Sequence, residues 1–227
     1  MTACSYCASS SIDFMKTSSR PFRLFTASRG FTLIELLTVI AIIAVLASLI
    51  LMASGYAQKR AAGAKAESQI RALETACEAY KVDNAVYPRD SNTDKVDPRT
   101  VFTPNSYKTA SLALYALLNG DANYDGKTDT DSRSYLGNTL TPEMLGRTDM
   151  NNPVDAKNVV TYLADPFGNS FGYSTANAKY QEDLSKGSAG TLKGFNATYD
   201  LWSTNGDTRA PTGMTADKVP ERWIKNW

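Results

Sequence analysis

Residues 30–53 read GFTLIELLTVIAIIAVLASLILMA and form the longest apolar run in the chain. The run holds roughly the 20 apolar residues that cross a bilayer as one helix. Its one ionisable side chain is Glu35, close to the start of the run. The run therefore predicts a membrane-spanning helix that carries a single carboxylate near one end.

The residues before this run are basic. Residues 1–30 hold four basic side chains against the single acidic Asp13, which gives them a net charge of +3. The whole chain carries +1, so residues 31–227 carry −2. A basic flank predicts that residues 1–30 stay in the cytoplasm and that the C-terminal part is exported. A nearly neutral exported part gives no electrostatic support for nucleic-acid binding.

The chain contains no histidine, which limits its chemistry. Ser-His-Asp catalysis, Cys-His catalysis and imidazole metal ligands are excluded. Cys4 and Cys7 form an isolated C-x-x-C, a weak zinc or redox signal, and Cys77 stands apart from them. The composition therefore favours a protein that is not an enzyme. Met15 offers an alternative start, which would shorten the basic segment.

The junction at Gly30 resembles the class III signal of type IV pilins and type II secretion pseudopilins. Phe31 follows the glycine directly, and Glu35 is the fifth residue after it. The resemblance implies that a prepilin peptidase cleaves after Gly30 and methylates the new N-terminus at Phe31. The alternative is a secretory signal peptide, which has a shorter apolar region and an A-x-A-like site. Ala53-Ser54-Gly55 could be cut in that way, but Glu35 inside the run would then be hard to explain.

Glu35 needs a partner or a proton inside a membrane, because an unpaired carboxylate there costs at least a few kcal/mol. Lys59 is the nearest lysine of the mature chain, about 24 residues or ~36 Å along a helix. We therefore predict that the charged N-terminal amine on Phe31 of a neighbouring subunit pairs with Glu35 and sets the axial offset between subunits. The alternative is that Glu35 reaches the lipid headgroups and only tunes insertion.

The segment after the span keeps a helical composition and contains no proline before Pro88. Apolar side chains recur in it at spacings of three and four, which places them on one helical face. We expect one helix from about Phe31 to Asp83, capped by Asn84, whose second half packs on a globular domain. The residues of this face are Ala66, Ile70, Leu73, Cys77 and Tyr80.

Further along, SYKTASLALYALLNG predicts a short helix that places Leu112, Tyr115 and Leu118 on one face and ends at Gly120. A turn at residues 165–169 (DPFGN) lies between two strand-like segments and predicts a hairpin. The segment 199–204 predicts a last strand, with alternating side chains.

Three blocks extend the resemblance to the major, G-type pseudopilins. They are the helix exit AYKVDNAVYP, the DPFGN turn with Phe167 at the usual tryptophan, and the last strand with the closing IKNW. Residues 91–157 match nothing in that family. The resemblance implies a pilin-like α+β fold, in which a long helical spine packs on a small antiparallel sheet with a helix-and-loop insertion.

Two loops are candidate calcium sites. Residues 121–132 place acidic and amide side chains at positions 1, 3, 5 and 9 of an EF-hand-like loop, but Ser132 replaces the glutamate of position 12. These side chains are Asp121, Asn123, Asp125 and Asp129. The alternative is an acidic surface loop that binds no metal. The G-type resemblance implies a second site, where Ser203 and Asp207 match and Asp217 or Glu221 would replace missing acidic ligands.

The sequence thus predicts four segments: a leader (1–30) removed by processing, a transmembrane and assembly segment (31–54), an amphipathic helical segment (55–84) and an exported domain (85–227). The predicted protein is a single-pass inner-membrane subunit of a type II secretion pseudopilus. Its expected partners are copies of itself, the prepilin peptidase, the inner-membrane assembly platform and minor pseudopilins.

Three alternatives stay open. The first is a type IV pilin that forms surface fibres for adhesion or motility. The second is a membrane-tethered module in which Trp202, Trp223 and Trp227 hold a glycan. The third is an exported hydrolase that uses paired carboxylates, although no pair in the sequence is placed well enough to name.

Overall fold

The computed structural model describes residues 30–147, 159–188, 190–209 and 219–227. Within these residues the fold is α+β, as the sequence predicts, with a long N-terminal helix and small antiparallel sheets. The chain divides between Leu49 and Ile50 into two units, which we describe separately. The predicted leader before Gly30, the alternative start at Met15 and the predicted calcium ligand Asp217 lie outside the described residues.

The regular elements follow in chain order. The α-helices are α1 (Leu33–Asn84), α2 (Lys108–Asn119) and α3 (Ala176–Ser185). The strands are β1 (Leu145–Arg147), β2 (Val160–Leu163), β3 (Gly172–Ser174), β4 (Asp200–Ser203) and β5 (Ile224–Lys225). Short 3-10 turns cover Thr93–Lys95, Pro104–Tyr107, Gly137–Thr139, Pro142–Met144 and Val219–Arg222.

The first unit contains the N-terminal part of α1. Every residue from 30 to 49 is exposed, although almost all of these side chains are apolar. A helix that is apolar on all sides is normally covered by lipid or by other helices. The predicted helix from about Phe31 to Asp83 is confirmed to within two residues at its start and one at its end.

In the second unit, the rest of α1 supplies one wall of the main core. Ala66, Ile70, Leu73 and Cys77 are at most 3% exposed, and Tyr80 packs against the same core. The predicted face is therefore confirmed. The spacing of three and four keeps these side chains on one stripe, and burying them favours the helix far more than its intrinsic propensity does.

The helix α2 covers the core from another side. Tyr115 and Leu118 are fully buried and Leu112 is partly buried, as the sequence predicts. The helix ends at Gly120, whose backbone is left-handed with φ of 64° and whose N–H donates to the Ala116 carbonyl at 2.9 Å. Glycine adopts this conformation with no steric penalty, so it ends the helix at that point.

The strands form two antiparallel sheets within the described residues, not the single sheet that the sequence predicts. One sheet pairs β1 with β2, and the other has the order β3-β4-β5. The hairpin prediction holds only at its turn, because β2 and β3 meet through one bridge, Ala164 with Ser170, and then pair with different strands. A turn sequence predicts a chain reversal, but the partner of each strand depends on distant residues.

The turn at residues 165–169 is built around a buried carboxylate. Asp165 Oδ1 accepts hydrogen bonds from the backbone N–H groups of Phe167 (3.0 Å) and Asn169 (2.8 Å). Its Oδ2 accepts a hydrogen bond of 2.5 Å from the Ser203 hydroxyl at the end of β4. Burial raises the pKa of Asp165, while these hydrogen bonds oppose the rise. Asp165 thus connects the turn to the end of β4.

Three elements have no counterpart in the sequence prediction: the helix α3 and the strands β1 and β5. The helix α3 reads ANAKYQEDLS and buries only Ala176 and Asn177, so it lacks the apolar repeat that reveals a helix. The strand β1 lies within residues 91–157, for which the sequence analysis predicts no strand. In β4 all four residues are buried, so the alternation along that strand does not separate an inner from an outer face.

Candidate functional site

The segment from Gly30 to Glu35 begins α1 with a reciprocal cap. The Thr32 backbone N–H and hydroxyl both donate to Glu35 Oε2, at 2.9 and 2.7 Å, and the Glu35 N–H donates to the Thr32 hydroxyl at 3.3 Å. This is a capping box, in which a threonine and a glutamate three residues later satisfy backbone groups at a helix start. Glu35 therefore stabilises the first turn of the helix in the isolated chain.

The surface that follows this cap is apolar and open. Phe31, Leu33 and Ile34 are 79%, 81% and 69% exposed, and the large apolar side chains up to Leu51 are also exposed. Within the described residues, α1 is the helix that is long and apolar enough to cross a membrane. Such a surface can be covered by lipid or by the same surface of another subunit, because the two environments are equally apolar.

A known family model matches this segment. Residues 26–51 match the family model described as the prokaryotic N-terminal methylation motif. The match supports a type IV pilin-like family. The motif suggests self-assembly and a processing step by a prepilin peptidase. Neither the curated proteins nor the solved structures provide a match to the chain.

The predicted processing residues lie at the open end of this surface. Phe31 is mostly exposed, and a Cβ built on Gly30 would meet no atom within 4 Å. A side chain at position 30 would therefore not disturb the fold of the described residues. If glycine is required at this position, the requirement therefore does not come from packing within the described residues.

We predict that the mature chain begins at a methylated Phe31, because a prepilin peptidase needs the missing side chain of Gly30. Mass spectrometry of the membrane-extracted protein should show this terminus. In the Gly30→Val variant we expect an intact leader on a normally folded chain, since the added side chain has open space around it. An unprocessed wild-type chain, or a wild-type chain that starts after Gly55, would contradict the processing prediction.

The first predicted calcium loop is closed by its own hydrogen bonds. The carboxylate of Asp121 is buried and accepts from the Tyr115 hydroxyl (2.6 Å) and the Gly126 N–H (2.8 Å). Asn123 accepts from the Asp125 N–H at 2.9 Å, and Asp129 accepts from the Ala122 N–H at 2.9 Å. The residues therefore shape one compact loop, as their EF-hand-like spacing suggests.

The described residues of the second predicted calcium site do not converge on one point. Ser203 is buried and donates to Asp165, while Asp207 lies 3.5 Å from the Arg222 guanidinium. Glu221 is exposed in the turn beside that arginine. In the described residues, no three Asp, Glu or Cys side chains converge as a metal site in either place. Calcium binding therefore stays a prediction, and the function proposed below does not depend on it.

We predict that calcium, if held by residues 121–129, stabilises the folded chain by linkage. At about 100 times Kd the free energy of unfolding should rise by about 2.7 kcal/mol, which a melting curve of the detergent-solubilised chain would reveal. Asp125→Ala should abolish the rise, because Asp125 is an exposed loop carboxylate whose loss leaves the core intact. Asp131→Ala is the matched control, since Asp131 lies at none of the four predicted positions.

Two other outcomes of the calcium titration would contradict binding by residues 121–129. A rise that is lost with Asp207→Ala instead would assign the ion to the C-terminal loop. A chain whose melting temperature does not respond to calcium would show that both loops are ordinary surface loops.

The tryptophans proposed as a glycan site lie in an aromatic cluster. Trp202 and Trp223 are 0% and 5% exposed and stack on each other, with ring centroids 5.6 Å apart. Trp227 is partly exposed, and its ring stacks on that of Phe195 with ring centroids 4.6 Å apart. A sugar ring has no access to the faces of Trp202 and Trp223, so these two indoles serve as core.

Proposed function

We propose that this chain is a structural subunit of a type II secretion pseudopilus. The observation that carries the proposal is the methylation motif at residues 26–51, which leads directly into an exposed apolar helix. A subunit of this kind is stored in the membrane and then transferred to a filament without exposing its helix to water. Growth of the filament would push folded proteins through the secretion channel.

The choice of a secretion pseudopilus over a surface pilus rests on the C-terminal blocks. The DPFGN turn is closed by Asp165 and joined to the end of β4 through Ser203, so two blocks that resemble the G-type pseudopilins are in direct contact. The helix exit also resembles that family and ends α1 at Asn84. These features support the G-type assignment.

The proposed arrangement follows the predicted segments. Residues 1–30 form the cytoplasmic leader that the prepilin peptidase removes, residues 31–54 span the inner membrane and later pack in the filament, and residues 55–84 and 85–227 lie in the periplasm. The partners are copies of the chain, the assembly platform of the inner membrane and minor pseudopilins. The chain performs no chemistry on a substrate.

The test is to delete the gene and compare culture supernatants and surface fibres with those of the complemented strain. We expect folded proteins that are normally secreted to accumulate in the periplasm, with surface fibres unchanged. Complementation by the wild-type chain should restore secretion, and the unprocessed Gly30→Val variant should not. Loss of surface fibres with normal secretion would favour a type IV pilin instead.

A further inference from the structure

The chain contains two Asn-Gly pairs, Asn119-Gly120 and Asn205-Gly206. In such a pair the backbone nitrogen of the glycine can attack the side-chain amide carbon of the asparagine, because glycine has no side chain that hinders the approach. The sequence therefore offers the same reaction at two places. The surroundings of each pair decide whether the reaction occurs in the folded chain.

The first pair is closed to this reaction. Asn119 is 4% exposed, its Nδ2 donates to the Tyr115 hydroxyl at 3.1 Å, and its Oδ1 accepts from the Ser134 hydroxyl at 3.0 Å. The backbone N–H of Gly120 donates to the Ala116 carbonyl at 2.9 Å at the end of α2. An attack by Gly120 would have to break the end of this helix and the hydrogen bonds of a buried amide.

The second pair is open to the reaction. It lies in the turn after β4, where Asn205 is partly exposed and Gly206 is exposed. Within the described residues, the Asn205 side chain makes one long hydrogen bond, from Nδ2 to the Arg222 carbonyl at 3.5 Å, and the Gly206 N–H donates to no acceptor. An exposed turn with few hydrogen bonds opens far more readily than a helix end that is packed on the core.

We propose that Asn205 is a site of spontaneous deamidation in the folded chain and that Asn119 is not. The Gly206 nitrogen bonds to Cγ of Asn205, the bond from Cγ to Nδ2 breaks, and the Nδ2 group leaves as ammonia with the proton of the Gly206 N–H. A water molecule then opens the succinimide ring at one of its two carbonyl carbons. The products are aspartate, or isoaspartate, in which the backbone runs through the former side chain.

Either product changes the loop that follows β4. A carboxylate replaces the amide that donated to the Arg222 carbonyl, and a carboxylate has no N–H to donate. The loop also gains a negative charge two residues before Asp207. The modification therefore weakens the contact between this loop and the 3-10 turn Val219–Arg222. This inference is independent of the proposed role in secretion.

Peptide mapping of the full chain in detergent by mass spectrometry tests the proposal. After incubation at mildly alkaline pH, we expect the mass gain of deamidation in the peptide that contains Asn205. The peptide that contains Asn119 should show at least about tenfold less product, because its reaction requires local opening of a buried helix end. In denaturant the two peptides should react at similar rates, so this comparison separates the effect of structure from that of sequence.

Asn205→Gln is the matched control variant. It keeps a side-chain amide, but glutamine would have to form a larger ring and reacts far more slowly. Its peptide should therefore show no mass gain over the same period. The proposal would be overturned if Asn205 stayed unmodified in the folded wild-type chain while it reacted in denaturant, or if Asn119 reacted as fast as Asn205 in the folded chain.

Discussion

Replacing Glu35 with leucine should abolish filament assembly and secretion while the chain stays in the membrane. In the proposed filament, the carboxylate neutralises the N-terminal amine on Phe31 of the neighbouring subunit. Without the carboxylate this amine has no partner in the filament, so we expect association between subunits to weaken by roughly a hundredfold or more. The measurement is the yield of sheared or cross-linked filaments, together with the secreted proteins in the culture supernatant.

The capping box provides a sharp control for this prediction. Glu35→Gln keeps a side chain that can cap the helix but removes the charge, whereas Thr32→Ala removes the two hydrogen bonds of the Thr32 hydroxyl and keeps the carboxylate. If Glu35 pairs with the amine, the glutamine variant should fail to assemble and the Thr32 variant should assemble. Normal assembly of the Glu35→Gln variant would show that Glu35 acts only as a cap or tunes insertion.

Replacing Gly172 with alanine should strongly destabilise the second structural unit, residues 50–227. Gly172 pairs with Trp202 across β3 and β4, and a Cβ at this position would lie 1.9 Å from Trp202 Cε2. The indole has little room to move, because it is fully buried and stacked on Trp223. We expect a loss of roughly 3 kcal/mol, near the upper end for overpacked cores, and a fall in Tm of about 6–12 °C.

The melting curve of the Gly172→Ala variant should be compared with that of Gly190→Ala. A Cβ at position 190 would lie 3.4 Å from Tyr180 Cδ2, which is an ordinary contact. The control should therefore change the free energy of unfolding by no more than about 0.5 kcal/mol, as substitutions away from the core usually do. Equal stability of the two variants would contradict the close packing of Trp202 over Gly172.

Features that depend on neighbours along the chain are predictable from the sequence. The apolar run that forms the start of α1, the buried face from Ala66 to Cys77 and the end of α2 at Gly120 all follow from local spacing. The cap between Thr32 and Glu35 also has a local signal, the T-x-x-E pattern, which the sequence interpretation missed. In each case the contacts lie within a few residues or on one helical face, so local sequence patterns are sufficient to predict the feature.

Other features depend on residues that are far apart in the chain. The strands on either side of the DPFGN turn pair with different strands. Asp165 and Ser203, which are 38 residues apart in the chain, form a hydrogen bond. Gly172 must be a glycine because the Trp202 ring lies over it, which no local pattern indicates. Strand pairing and side-chain packing of this kind depend on how the whole core is buried. The contact partners of such residues are therefore seen only in the tertiary structure.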